Sequence, residues 1–234
     1  MVDLGKLARV DWASHARVAL ATSQAMIPYA AIGSSILFAL APLPDIRRIR
    51  RAKHTLSLPF LPFFFYALQS AIFLVYAWVT ANPVLKTTTS LGVLLGTYYL
   101  AVYYTYSSDK VVARKWMAGG FAVVLALMGI AATWEAADAA MMIGLPGNAV
   151  MILTAVSPLA KAATIIASQD ASSLPVGMSI MNAVAGAIWT LYGILLQDRV
   201  VTVPNAVSTV VGLIQIGLLV RYPSTPKAKR MHAV

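Results

Sequence analysis

Cysteine is absent from all 234 residues, so the chain can form no disulfide, no thiolate metal site and no cysteine nucleophile. Nor does cysteine usage say anything about redox compartment. Charge is scarce as well: 11% of residues are Asp, Glu, Lys or Arg, where a soluble domain carries about 25%. The three histidines, His15, His54 and His232, lie outside every long apolar stretch, which argues against a buried metal pair or catalytic triad. No Asn is followed two residues later by Ser or Thr, so there is no N-glycosylation acceptor. Residues 1–19 hold Asp3, Lys6, Arg9, Asp11 and Arg17, which leaves no apolar core for a cleavable signal peptide. Val2, Leu4, Leu7, Val10 and Trp12 suit a short helix lying on a membrane surface.

What is present is apolar. Hydrophobic residues make up 59% of the chain, with mean hydropathy +0.76. Seven stretches, near residues 20–43, 57–80, 86–106, 116–134, 141–160, 173–196 and 200–220, reach the roughly 20 residues a membrane-spanning helix needs. Lys86, at the very start of the third, is the one ionisable Asp, Glu, Lys, Arg or His among them. The pattern predicts an all-α membrane protein with seven transmembrane helices, no metal, no cofactor and no enzymatic chemistry. Ion-coupled carriers usually keep ionisable groups at membrane depth. Their lack here points to a neutral solute moving down its own gradient.

The net charge of +10 would suggest nucleic acid in a soluble chain, but its placement reads as topology. Arg47, Arg48, Arg50, Arg51 and Lys53 fall in the first loop, Lys110, Arg114 and Lys115 in the third, and Lys161 in the fifth. Arg221, Lys227, Lys229 and Arg230 lie in the tail, so 13 of 18 basic residues sit on one side. The positive-inside rule then puts the N-terminus outside and the C-terminus in the cytosol, with the plasma membrane the expected location. No nucleic-acid partner is implied, and the tail, residues 221–234, reads as topology-setting charge.

The chain also repeats itself at an offset of 116 residues. Pro42-Leu43 returns as Pro158-Leu159, and Ser57-Leu58-Pro59 as Ser173-Leu174-Pro175. Ala71-Ile72 and Tyr76 return as Ala187-Ile188 and Tyr192, and Gly96 as Gly212. Residues 42–96 share 12 identities with their 55 aligned partners. Two copies of a three-helix unit, residues 20–106 and 136–220, are therefore expected. Three helices carry a chain across once, so a directly fused second copy would enter inverted. A single extra crossing within residues 107–135 restores the orientation, giving parallel bundles joined by a linker helix. Gly92 with Gly96, and Ser208 with Gly212, make small-xxx-small steps suited to close helix packing. Each bundle would be sealed by its neighbour, so a homo-oligomer is allowed without being required.

Uncharged polar and aromatic groups at repeat-related positions are the candidate ligand contacts. Asn205 carries two donors and two acceptor lone pairs, matched to a sugar hydroxyl or else to an interhelical hydrogen bond. Its counterpart is Thr89. Trp189 pairs with Phe73, rings that could stack on a pyranose or sit in an interfacial aromatic belt. Ser70, paired with Gly186, shares a helical face with Phe73. Gln24, Gln69 and Asn182 read as core hydrogen-bonding groups, and Tyr98, Tyr99, Tyr103, Tyr104 and Tyr106 as belt. Pro42 and Pro158 end the first and fifth spans while Pro59 and Pro175 open the second and sixth, four symmetric positions suited to hinges.

At these residues the chain resembles the SWEET sugar transporters of the saliva/PQ-loop superfamily, over residues 20–220. Ser157-Pro158-Leu159, Ser173-Leu174-Pro175, Trp189-Thr190-Leu191-Tyr192 and Val203-Pro204-Asn205 carry the likeness. That family has parallel repeats about an axis along the membrane normal. The resemblance implies a facilitative, bidirectional sugar uniporter working by alternating access in contact with membrane lipid. It implies a proline tetrad at Pro42, Pro59, Pro158 and Pro175, and a sugar site at Asn205, Thr89, Trp189, Phe73 and Ser70. An outer gate would fall at Asp198 and Pro204. The first repeat departs from the family in Thr89, where an asparagine is expected, and in Phe73, where a ring with a polar edge is expected. The alternatives are a carrier of another small neutral solute on the same fold and a seven-helix receptor. A retinal protein would need a lysine within residues 200–220, which hold none.

Overall fold

The computed structural model describes residues 12–56, 58–174 and 176–223; of residues 12–20 and 23 it describes the backbone alone. The surface-helix reading of residues 2–11, Pro175 and the tail from residue 224 lie outside the described residues. Every regular element within them is helical: α1 (Trp12–Leu40), α2 (Leu43–Ala52), α3 (Leu61–Val79), α4 (Pro83–Tyr106) and α5 (Lys110–Thr133). These are followed by α6 (Ala136–Val156), a 3₁₀ turn (Ser157–Lys161), α7 (Ala162–Ser168), α8 (Val176–Leu195) and α9 (Arg199–Arg221).

Local chemistry sets the boundaries. Asn82 caps α4 through Oδ1, which accepts from the Leu85 amide at 3.0 Å, and Pro83 takes the first helical position. Asp109 caps α5 in the same way, 3.1 Å from the Val112 amide, so the fourth span starts at Lys110 rather than near 116. The first basic loop is itself a helix. In α2, Ile46 and Ile49 are fully buried while the arginines point away. Six helical stretches are long and apolar enough to cross a membrane. The seventh crossing, α4, has 24 residues but is rich in Thr and Tyr. Its hydroxyls satisfy themselves locally: Thr87 donates to the Pro83 carbonyl at 2.9 Å and Thr88 to that of Val84 at 3.0 Å.

The helices close into a ring. Within the first triplet α4 packs against both α1 and α3, and within the second α9 packs against both α6 and α8. Across the triplets α3 meets α6 and α1 meets α8. The circuit α1–α4–α3–α6–α9–α8 is therefore continuous, with α4 and α9 at opposite positions, while α5 rides outside on α3 and α6. This is an all-α membrane fold of two parallel three-helix bundles joined by a linker helix.

The duplication extends to single dihedrals and hydrogen bonds. Residues in the left-handed region include Lys53 and Gln169 (φ 61° and 53°) and Ala81 and Gln197 (φ 53° and 56°), each pair one repeat apart. The Asn82 amide donates to the Ala77 carbonyl at 3.1 Å as Asp198 does to Gly193 at 2.9 Å. Gly96 lies against the Ala67 backbone and Gly212 against that of Ala183, so one seam holds α3 to α4 and α8 to α9.

Burial divides the molecule along the membrane normal. At the end bearing the α3–α4 and α8–α9 turns, one core joins both bundles through Ala31, Ile72, Phe73, Tyr76, Leu85, Ile143, Trp189, Tyr192 and Val201. At the opposite, basic end each bundle has its own core: Ile46, Ile49, Phe63, Tyr99 and Tyr103 in the first, Ile165, Ala171 and Leu174 in the second. The tyrosine run is thus not a uniform belt. Tyr99 is fully buried and donates to the Ala39 carbonyl at 2.7 Å, and Tyr103 donates to that of Leu58 at 2.8 Å.

Candidate functional site: a crossed latch above two polar positions

The shared core is locked by two hydrogen bonds that swap partners between bundles. Tyr76 in α3 places Oη 2.9 Å from each carboxylate oxygen of Asp198, the cap of α9. Tyr192 in α8 donates to Oδ1 of Asn82, the cap of α4, at 2.9 Å. The repeat offset relates Tyr76 to Tyr192 and Asn82 to Asp198, so the two bonds are a pair about the molecular pseudo-twofold. Both acceptors are held by their own helix: Asp198 Oδ1 also accepts from the Val200 and Val201 amides at 2.9 and 3.1 Å. They differ in strength, because bonds to a charged acceptor contribute about 1.5–3 kcal/mol against about 1 for neutral pairs.

One helical turn below each tyrosine lies an aromatic ring. Phe73 meets Tyr76 edge-on, with centroids 6.2 Å apart at 81°, and Trp189 meets Tyr192 at 5.4 Å and 87°. Both rings are buried in the shared core, well away from an interfacial belt. Trp189 also donates its indole N–H to Ser35 Oγ at 3.1 Å, joining α8 to α1 across the bundles. Gly147 in α6 packs against Ile72 and Phe73, where a Cβ would come within 3.1–3.3 Å.

Thr89 and Asn205 follow Asn82 and Asp198 by seven residues, two helical turns, and so share their faces. At 1.5 Å per residue that places them about 10 Å deeper than the latch. Leu85 and Val201, one turn above them, belong to the shared core, so the polar pair marks its inner boundary on opposite helices. Each bonds its own helix at the same place: Thr89 Oγ1 donates to the Leu85 carbonyl, and Asn205 Nδ2 to that of Val201 at 2.7 Å. What remains differs. The threonine hydroxyl, its proton committed, can only accept, whereas Asn205 retains an N–H and its Oδ1.

The other expected residues fall as follows. Ser70 Oγ donates to the Tyr66 carbonyl at 2.8 Å and lies against Gly92, in the seam between α3 and α4. Pro204 is fully buried inside α9, and its carbonyl accepts from Ser208 at 3.0 Å. Pro42 caps α2, Pro158 lies in the first turn of the 3₁₀ segment, and Pro59 precedes α3. The prolines inside helices are instead Pro28, Pro146 and Pro204. Several contributors were not singled out from sequence. Tyr76 and Tyr192 are visible as repeat partners, but nothing local announces their crossing, and Asn82 differs from its counterpart Asp198 and so leaves no identity in the repeat. Ser35 carries no local signal. Asn148, an amide inside an apolar run, could have been noticed: its Oδ1 is buried without a hydrogen-bond partner, on the residue that follows Gly147.

Two repeated bundles around paired polar positions, joined at one end by a crossed latch, are the arrangement of a membrane transporter. The family described as "Sugar efflux transporter for intercellular exchange" matches residues 25–111 and again 141–227, two segments offset by the same 116 residues. The chain belongs to this family. It is similar to "Bidirectional sugar transporter SWEET13" of Oryza sativa subsp. japonica, 28% identical over 84% of this chain and 69% of that one. It is also similar to "Sugar transporter SWEET1" of Dictyostelium discoideum (25% identical, 84% and 92% covered) and of Mus musculus (29%, 77% and 83% covered). In three dimensions it matches a eukaryotic SWEET transporter with TM-score 0.75 at 24% identity, over 87% of this chain and 98% of that one, a likeness of fold.

Proposed function

We propose that this protein is a facilitative, bidirectional uniporter for mono- or disaccharides, moving substrate down its gradient as the two bundles, residues 20–106 and 136–220, rock about a central site. No covalent step is involved. The reading rests above all on Thr89 and Asn205, equivalent in backbone bonding and placed two turns beneath the latch. Asn205 gives and accepts hydrogen bonds from a sugar hydroxyl, Thr89 accepts one, and Trp189 and Phe73 offer apolar ring faces to the sugar C–H side. The buried acceptor of Asn148 is a further hydroxyl partner. Ser70 acts by setting α3 against α4 beneath Phe73.

The basic end faces the cytosol, with the N-terminus outside, in the plasma membrane. Asp198 and Pro204 then belong to the outer gate, at the end where one core joins both bundles. Pro42, Pro59 and Pro158 stand at helix ends on the cytosolic side, where they would serve as hinges for the swinging halves; Pro175, the fourth of the set, lies outside the described residues. The test is equilibration of labelled glucose and sucrose into proteoliposomes without ion gradients. Wild type fills to the outside concentration and Asn205→Ala loses more than about tenfold in rate, as for a buried polar contact removed from a desolvated ligand. Unchanged uptake by Asn205→Ala would take that residue out of the site. One observation favours a second reading, a different neutral solute: Thr89 supplies acceptors only. A panel of sugars, amino acids and short acids in the same vesicles separates the two.

A further inference from the structure

At the basic end, Arg47, Arg50 and Arg51 of α2 lie at i, i+3 and i+4, on an exposed face flanking buried Ile46 and Ile49. With Lys53 and Tyr106 they line an open pocket of about 300 Å³. Like charges at this spacing repel, and no carboxylate relieves them: the ion pair of α2 among the described residues joins Arg48 to Asp45, at 3.3 Å. Two of the cations are nonetheless held in place. Arg50 donates to Tyr98 Oη and Lys53 to Tyr106 Oη, each at 3.2 Å, and the Lys53 ammonium also lies 5.3 Å from the Tyr106 ring centre.

The fold does not require this charge. The repeat partner of α2 is α7, and the positions equivalent to Arg47, Arg50, Arg51 and Lys53 are Ala163, Ile166, Ala167 and Gln169. Setting topology needs basic residues near this loop, but not three guanidiniums on one face around a pocket. The surroundings identify the occupant. Leu94 and Tyr98, one turn apart on α4, are both exposed, and Tyr98 leads directly to Arg50. Leu37 and Leu40 are exposed on α1 just before Pro42. An anion here would therefore have apolar, lipid-facing surface running away from it.

We propose that Arg47, Arg50, Arg51 and Lys53 form a site for a phosphate group, supplied by the headgroup of an anionic phospholipid whose acyl chain lies along Leu94 and Tyr98. Guanidiniums bind phosphate oxygens bidentately, and the tyrosine hydroxyls that hold Arg50 and Lys53 keep their own protons to donate.

The test is native mass spectrometry of the purified full-length protein with equal dioleoylphosphatidylglycerol and dioleoylphosphatidylcholine. Wild type should favour the phosphatidylglycerol on the order of tenfold, the scale of one or two basic contacts to an anionic headgroup. Arg47→Gln/Arg50→Gln/Arg51→Gln should abolish the preference, while Lys227→Gln/Lys229→Gln/Arg230→Gln, which removes the same charge from the tail, should keep it. Arg47→Lys/Arg50→Lys/Arg51→Lys preserves topology-setting charge and carries the test if the glutamine variant does not fold; it should lose at least half the preference. Full preference in the lysine variant, or equal loss in the tail variant, would overturn the proposal, since charge alone would then suffice. Displacement of the lipid by equimolar glycerol 3-phosphate would overturn the lipid assignment in favour of a soluble phosphate ester.

Discussion

Tyr76 and Asp198 lie 122 residues apart, yet the phenol oxygen sits 2.9 Å from both carboxylate oxygens, closing one end of the ring. Its symmetry mate, Tyr192 to Asn82, has the same length but a neutral acceptor. The two latches should therefore contribute unequally. Tyr76→Phe should shift the balance toward the outward-open state by about 1.5–3 kcal/mol, roughly ten- to hundredfold in population, and Tyr192→Phe by about 1. With no native cysteine, spin labels at Thr80→Cys and Leu196→Cys report only on this gate. Electron–electron resonance should show a long-distance population that grows more in Tyr76→Phe than in Tyr192→Phe. Equal growth would mean the carboxylate adds nothing over the amide.

Thr89→Asn is expected to improve transport rather than impair it. The native hydroxyl spends its proton on the Leu85 carbonyl, whereas an amide there could make that bond and still offer an N–H and an oxygen, as Asn205 does. A gain of about 1 kcal/mol in substrate contact would lower the half-saturating sugar concentration by about fivefold. Counterflow in vesicles measures it. A higher half-saturating concentration in Thr89→Asn would show that position 89 does not face the substrate.

Trp189 and Ser35 should be energetically coupled across the bundle boundary. Trp189→Phe keeps the edge-on contact with Tyr192 but deletes the donor to Ser35 Oγ, and Ser35→Ala deletes the acceptor. A double-mutant cycle on thermal stability should return a coupling of about 0.5–1.5 kcal/mol. The first bundle has no equivalent bond, since Phe73 lacks an N–H. Additive single effects would leave the indole contact without energetic weight.

The sequence carried the global plan because duplication leaves a long-range signal: one offset recurred at Pro42, Pro59, Tyr76 and Gly96, and parity then required a linker crossing. Finer features were lost where the determining partner lies far along the chain. The crossed latch joins residues 110 and 122 positions apart, which no local periodicity encodes. Tyr99 read as belt because hydropathy cannot register its bond to the Ala39 carbonyl. In α4 the polarity of Thr87 and Thr88 is likewise hidden from hydropathy, since both hydroxyls bond their own helix. Of the candidate ligand contacts, Asn205 and Trp189 stood out by their own chemistry and motifs, and Thr89 and Phe73 as their repeat partners. Ser35 and Asn148 have no such mark: they matter through neighbours that the fold supplies.

Glycine substitutions give a sharp contrast between seam and lipid face. A Cβ at Gly96 would come 2.8 Å from the Ala67 Cα, a backbone atom that cannot yield unless the helices part. Gly96→Val should therefore destabilise by about 1–3 kcal/mol or more through overpacking, and Gly212→Val similarly against the Ala183 backbone. At Gly119 and Gly129 of α5 nothing lies within 4 Å, and alanine there removes a helix penalty of about 0.5–1 kcal/mol. Gly129→Ala should thus raise the melting temperature slightly, while Gly96→Val lowers it by several degrees or prevents purification of a monodisperse protein. Light-scattering thermal melts in one detergent compare all four variants. If valine at 96 were tolerated as well as alanine at 129, the close approach of α3 to α4 could not be what holds the first bundle together, and the repeated seam would lose its structural meaning.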